Sequence, residues 1–358
     1  MSNFKKLRVA DVRRETEDTV SVSFVVPEGL NKDFDFIPGQ YLTLKRMIGE
    51  VDVRRSYSIC TSPAEQDLRV AIKQVEGGLF STYANQELKR GDELEVMTPM
   101  GKFCPKVDAG NKKNYLLIAA GSGITPIASI TKTILEEEPE STVTLVYGNK
   151  GFASIIFREE MEGLKNSYME RFRLIHILSR ENPGLDLFKG RIDKEKCIRL
   201  GQTIIDYKSM DEVFICGPEE MINSVSQQLE EEGIAKEKIH FELFTSPLGK
   251  LQAKKKNVVQ KEDHNVEVVL TLDGDVHEFK MNGASDNILD AAMKAGADVP
   301  FACKGGVCCT CRAKLLEGEV DMTVNYGLEK DEIENNFILT CQSYPKTDRI
   351  EVNFDYTT

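Results

Sequence analysis

The chain has 358 residues, 46 Lys and Arg against 58 Asp and Glu, a net charge of −12 and 41% apolar residues. That length allows two or three domains with cores of their own, and the negative balance excludes nucleic acid or an anionic membrane surface as principal partner. The opening MSNFKKLRVADVRRE has no apolar signal core and no run of roughly 18 apolar residues follows, so the sequence reads as unexported, not membrane-spanning and cytoplasmic.

Residues 1–106 hold short alternating runs of β-formers: TVSVSFVV (19–26), QYLTLKRM (40–47), RSYSI (55–59), LRVAIKQV (68–75) and DELEVM (92–97). Gly, Pro and Asp punctuate them, which predicts an antiparallel β-barrel. Within it stands Arg55-Ser56-Tyr57-Ser58, and about twenty residues on Gly77-Gly78-Leu79-Phe80-Ser81 opens a predicted helix. These residue types suit a flavin. Arginine pairs with phosphate, an aromatic ring stacks on the isoalloxazine, a hydroxyl serves the hydride-accepting nitrogen, and a Gly-Ser helix start receives a pyrophosphate. Taken alone, R-x-Y-S is equally an edge-strand Tyr beside a surface Arg, and Lys73, between the two motifs, equally faces solvent.

Residues 107–245 change texture. NYLLIAA (114–120) is a continuous apolar run, followed by VTLVYGN (143–149), FRLIHILS (172–179) and EVFICGP (212–218) with helical stretches between most of them. Buried parallel strands alternating with helices predict a doubly wound α/β domain. Gly121-Ser122-Gly123-Ile124-Thr125-Pro126 joins the first strand to a helix; its glycines admit a close backbone approach to pyrophosphate, and proline suits a first helical turn. Cys216-Gly217-Pro218 and Ser179-Arg180-Glu181 also end strands, where open α/β sheets bind ligands.

Residues 246–264 are Lys-rich and aperiodic, a predicted linker whose Lys254-Lys255-Lys256 run reads as solvated charge or as a swivel. From 265 to 358 the sequence predicts a hairpin with an Asp-Gly turn, a short helix ended by Gly296 and then FACKGGVCCTCRAK. Nine cysteines in a chain without secretion signals, five of them after residue 300, point to metal or redox chemistry rather than disulfides. Cys303, Cys308 and Cys311 give C-x4-C-x2-C, and with Cys341 they match the plant-type [2Fe–2S] spacing; Cys309 breaks that spacing and reads as a small packed residue. A structural zinc site is the alternative, although a single distant fourth cysteine suits it poorly.

CKGGVCCTCRAKLLEGEV resembles a plant-type ferredoxin domain, and the first 245 residues resemble the ferredoxin–NADP reductase superfamily. The whole chain is similar to the reductase components of aromatic-ring-epoxidising di-iron oxygenases. The resemblance implies a multidomain protein: a β-barrel flavin domain, an α/β nicotinamide domain and an α+β, β-grasp ferredoxin domain. It implies FAD rather than FMN, from the GGLFS loop, with Arg55, Gly78 and Ser81 at the diphosphate, Tyr57 stacked on the ring and Ser58 near N5. Gly121, Gly123, Thr125 and Pro126 would hold the dinucleotide, with Cys216, Gly217 and Pro218 beside the nicotinamide. Ser179 and Arg180 would grip a 2′-phosphate, making NADPH the expected donor and NADH the alternative. Phe244 would shield the flavin. For Cys216, Arg180 and Phe244 the competing readings are a buried cysteine, a surface arginine and core packing. The expected partner is a di-iron oxygenase complex, approached through an acidic ferredoxin face; a reductase of another oxygenase and a zinc-stabilised interaction module are the competing functions.

Overall fold

Six strands build the first sheet: β1 (Phe4–Thr16), β2 (Thr19–Val25), β3 (Tyr41–Ile48), β4 (Val51–Ser58), β5 (Leu68–Lys73) and β6 (Glu93–Met97), in the order β4-β3-β6-β1-β2-β5. The computed structural model describes residues 4–244, 265–283 and 285–356, so the linker expected over 246–264 lies outside the described residues. An antiparallel bridge between Ile59 and Val70 joins the ends of the two edge strands and curls the sheet into the expected barrel. Inward residues such as Leu7, Val22, Leu42, Val70 and Val96 fill its core, and α1 (Leu79–Gln86) adds Phe80, Tyr83 and Ala84. Strand β1 has no counterpart among the sequence-predicted strands. Register shifts at Val9/Asp11 and Arg14/Thr16 break its alternation, and its charged residues hide a buried face.

The second sheet is parallel: β7 (Asn114–Ala120), β8 (Thr142–Asn149), β9 (Phe172–Leu178), β10 (Glu212–Gly217) and β11 (Ile239–Leu243), ordered β11-β10-β7-β8-β9. Helices α2 (Ile124–Glu137), α3 (Arg158–Ser167), α4 (Lys194–Thr203) and α5 (Glu219–Glu231) alternate with the strands. Both faces of the central strands are covered, which is why NYLLIAA reads as an unbroken apolar run. Residues 4–53 and 57–244 form one compact unit. Helix α2 helps to join its two sheets: Ser129 Oγ donates to the Thr61 carbonyl at 2.6 Å, and buried Lys132 donates to the Cys60 carbonyl at 3.1 Å while pairing with Glu65 and Glu160.

The residues from 265 onward belong to a second unit. Its strands β12 (Asn265–Leu272) and β13 (Asp275–Asn282) form the expected hairpin, with Asp273 at φ 53° and Gly274 at φ 80° in the turn. A helix over Ile288–Lys294 follows, then β14 (Arg312–Glu317), β15 (Val320–Met322), a short helix Lys330–Glu334, β16 (Phe337–Leu339), β17 (Ser343–Pro345) and β18 (Arg349–Asn353). The main sheet runs β13-β12-β18-β14-β16, with β12 and β18 parallel and the other pairs antiparallel. Ile288, Leu289 and Ala292 of the first helix join Val266, Leu270, Ile350 and Val352 in one core, an α+β arrangement as expected.

Candidate functional site

The ends of β4, β10 and β11 carry a cluster of three polar side chains. Ser58 is buried, and its Oγ donates to Glu242 Oε2 at 3.1 Å. Burial pushes the half-buried Glu242 carboxyl up to about 7, against the pull of the Ser58 hydrogen bond. Cys216, fully buried, pairs with Glu242 across β10 and β11, and burial followed by the Glu242 charge drives its thiol well above the ordinary value. Ser58 and Cys216 were legible as candidates; Glu242 was not, and its only signal was an acid inside the aromatic FELF run.

On β4, Tyr57 alternates with Ser58 and sets its ring 5.7 Å from that of Phe80, tilted 37°. Arg55 Nη1 donates to the Arg54 carbonyl at 2.7 Å. Gly78 precedes α1 where any Cβ would lie 2.5 Å from Ser81 Oγ and from a Val75 methyl, so only glycine fits this turn. The Ser81 hydroxyl closes the same turn, accepting from Val75 N and donating to the Gly78 carbonyl, both at 3.2 Å. Ser81 therefore shapes the start of α1, whose first amides have no partner within the helix.

A cavity of about 720 Å³ opens at the carboxyl ends of the parallel strands. It lies at the switch between β7, which leads to β8, and β10, the place where open α/β sheets bind ligands. Gly121, Ser179, Arg180, Gly217, Pro218 and Phe244 line it, with Lys73 from the barrel; Lys73 is also ion-paired to Asp18 at 3.4 Å. Gly121 sits at φ +55°, and a Cβ on Gly123 would come within 2.2 Å of the Cys216 carbonyl oxygen. Thr125 and Pro126 do not line the cavity. Thr125 donates to the Ser122 carbonyl at 3.1 Å, and both residues fix the first turn of α2 beneath it. Sequence reasoning missed Asn149, Lys150 and Arg191 on the cavity wall. Buried Asn149 adds a side-chain amide to this wall. With Lys150, Arg180 and Arg191 nearby, the cavity fits an anionic dinucleotide.

In the second unit the four spacing-selected cysteines form two pairs. Cys308 Sγ lies 3.1 Å from Cys303 Sγ and donates to it, and Cys311 and Cys341 share a hydrogen bond of the same kind. Cys303 also accepts from the amides of Gly305 at 3.3 Å and Cys308 at 3.4 Å. The Cys308 thiol, opposed by burial and aided by those amides, lowers Cys303 to about 6. Two thiol pairs with amides turned toward the Cys303 sulfur supply the four thiolate donors that a [2Fe–2S] cluster takes. Cys309 stands outside both pairs and is half-buried.

Three family models match in this order: the oxidoreductase FAD-binding domain over residues 6–104, the oxidoreductase NAD-binding domain over 117–227 and the 2Fe-2S iron-sulfur cluster binding domain over 270–346. The chain is 43% identical over 355 residues to a component of the 1,2-phenylacetyl-CoA epoxidase of Escherichia coli K12, covering 99% of both chains. It is 34% identical to the ferredoxin reductase component of 3-ketosteroid-9-alpha-monooxygenase from Rhodococcus rhodochrous, covering 97% of this chain and 96% of that one. Phthalate dioxygenase reductase, described as a modular structure for electron transfer from pyridine nucleotides to [2Fe–2S], shares the fold at TM-score 0.59 and 22% identity over 98% of both chains. A ferredoxin NADP+ reductase from Neisseria gonorrhoeae shares the fold over 68% of this chain and 99% of that one, at TM-score 0.58 and 21% identity. No helix among the described residues is long and apolar enough to cross a membrane.

Proposed function

The chain belongs to the ferredoxin–NADP reductase family of oxygenase reductase components, with FAD-binding, NAD-binding and [2Fe–2S] domains, and on that premise we propose that it delivers electrons from NADPH to a di-iron oxygenase that epoxidises phenylacetyl-CoA. The observation that carries this reading is the 43% identity spanning all three modules at full length. Bound FAD supplies the two-electron-to-one-electron conversion between nicotinamide and cluster. Everything else is positioning by this chain's own residues.

The α1 turn built by Gly78 and Ser81, with Arg55, takes the flavin diphosphate, and Tyr57 stacks on the ring. Ser58 and Glu242 share a hydrogen bond, and Glu242, raised to about 7, would hold an exchangeable proton beside the flavin site near neutral pH. Cys216 would stay a neutral thiol, buried directly behind Gly217, which lines the cavity. Gly121 and Gly123 would admit the pyrophosphate, and Phe244, 38% exposed at the cavity edge, would shield the flavin from solvent. Arg180, with Ser179, Lys150 and Arg191, receives the 2′-phosphate. Cys303, Cys308, Cys311 and Cys341 hold the two irons. We place the domain limits at 1–106, 107–245, 246–264 and 265–358, around the matched segments, and the protein in the cytoplasm, where reducing conditions keep these thiols open to iron.

The test is an anaerobic titration of the purified protein with NADPH and with NADH, followed by addition of the di-iron epoxidase and phenylacetyl-CoA. Flavin and cluster bands that bleach together, and NADPH oxidation that then depends on phenylacetyl-CoA, support the reading. Bleaching with no coupling to that oxygenase assigns the chain to another acceptor, and bleaching by NADH alone removes the NADPH assignment. Arg180→Ala should raise KM for NADPH about 10- to 100-fold, the value of one charge-assisted phosphate contact, and leave KM for NADH unchanged.

A further inference from the structure

Gln342, next to Cys341, is 3% exposed, and its side-chain amide joins three separate pieces of the second unit. Its Nε2 donates to the Lys304 carbonyl at 3.1 Å and the Cys341 carbonyl at 3.0 Å, and it lies 3.8 Å from Cys341 Sγ. Its Oε1 accepts from Thr323 Oγ1 at 2.8 Å, and its backbone carbonyl accepts from Thr323 N at 3.1 Å. Two carbonyls can only accept, so the NH2 end must face them, which fixes the orientation of the amide.

Lys304 is one of five non-glycine residues at positive φ among the described residues, at φ 49°, at the start of the Cys303–Cys308 loop. That conformation is disfavoured for a long side chain and persists only where its surroundings hold it. Here both ends are held. The ammonium pairs with Asp290 at 2.8 Å and lies over the Phe301 ring, while the carbonyl receives the Gln342 amide. Gly306, two residues on, has room for no Cβ beside the Gln342 side chain, which would lie 3.0 Å away.

We propose that Gln342 is a positioning residue for the cluster: it latches the Lys304 turn to Cys341, so that both thiol pairs keep their spacing, and it turns an N–H dipole toward Cys341 sulfur that lowers the energy of the reduced state. This rests on the reading that the four cysteines hold [2Fe–2S]. The experiment is an anaerobic redox titration of the full-length holoprotein followed by EPR, for wild type, Gln342→Met and Thr323→Val. Gln342→Met keeps length and removes every side-chain hydrogen bond while leaving the backbone bond to Thr323 N. Its midpoint potential should fall, its EPR g-values should move, and bleaching by an iron chelator should run several-fold faster. Thr323→Val leaves the amide in place without its anchor and should shift the potential in the same direction by less. Wild-type potential and spectrum in Gln342→Met overturn the proposal. If that variant takes up no iron, an unchanged potential in Thr323→Val overturns it instead. Wild-type protein that itself yields no [2Fe–2S] signal would overturn the cluster reading separately.

Discussion

Replacing Glu242 by glutamine tests the cluster at the ends of β4, β10 and β11 most directly. An ordinary glutamate titrates near 4.5, and burial carries Glu242 to about 7. Below 4.5 the carboxyl is neutral in folded and unfolded chains alike, so it contributes no pH dependence. Between 4.5 and 7 the unfolded chain releases the proton while the folded one retains it, and the folded state loses stability as pH rises. Above 7 both are ionised and the penalty is constant. At about 1.4 kcal/mol per pH unit, that gap amounts to about 3 kcal/mol. Glutamine keeps the shape and can still bond Ser58 but never ionises. The variant should therefore gain on the wild type progressively from pH 5 to 7, by up to about 3 kcal/mol, and then run parallel to it. Urea unfolding at closely spaced pH values, followed through release of flavin fluorescence, reads the first unit specifically. A difference between the two proteins that is flat across this range would refute both the burial and the role assigned to it. The same variant should lose any inflection near pH 7 in the rate of flavin reduction by NADPH.

Gly123→Ala places a methyl where the Cys216 carbonyl oxygen stands, 2.2 Å from the ideal Cβ, so the end of β10 must move. The overpacking should cost about 1–3 kcal/mol, seen as a lower Tm, with a steeper fall in the rate of flavin reduction than in FAD content. Cys308→Ser should abolish the iron–sulfur absorption while NADPH still bleaches the flavin and still drives reduction of ferricyanide. Cys309→Ser should retain both cofactors, and loss of the cluster in that variant would reassign the ligand set.

The barrel, the parallel sheet and the cluster loop were legible because each rests on a local signal: alternation, an unbroken apolar run, cysteine spacing. The hairpin turn at Asp273-Gly274 is a signal of the same kind, two residues whose positive φ the turn demands. Strand β1 escaped because two bulges scramble its period. Glu242, Lys150, Arg191 and Gln342 escaped for a different reason. Each is a common polar residue in an unremarkable local context, and its neighbours lie far away in sequence: Ser58 is 184 positions from Glu242, Lys304 is 38 from Gln342, and Lys150 and Arg191 share a cavity wall with Gly121 and Gly217. Ser81 was picked out by its motif, but the bonds its hydroxyl makes to Val75 and Gly78 in closing the turn were not legible.

Strand β18 lies in the middle of its sheet, flanked by β12 and β14, and it is the last strand described. Glu267 pairs with Arg349 and Thr271 with Asn353, contacts that span more than eighty positions of chain. On the ribosome this order of synthesis has a consequence. The two sheets that serve flavin and nicotinamide are complete while the cluster domain still lacks its central strand, and long-range pairings of that kind form late. The reductase half can thus take up its cofactor during translation, whereas iron can be inserted stably only after residue 353 has emerged. A premature stop after β11 but before β18 would leave the flavin and nicotinamide sheets whole and the cluster domain without its central strand, a reductase half with no cluster to receive its electrons.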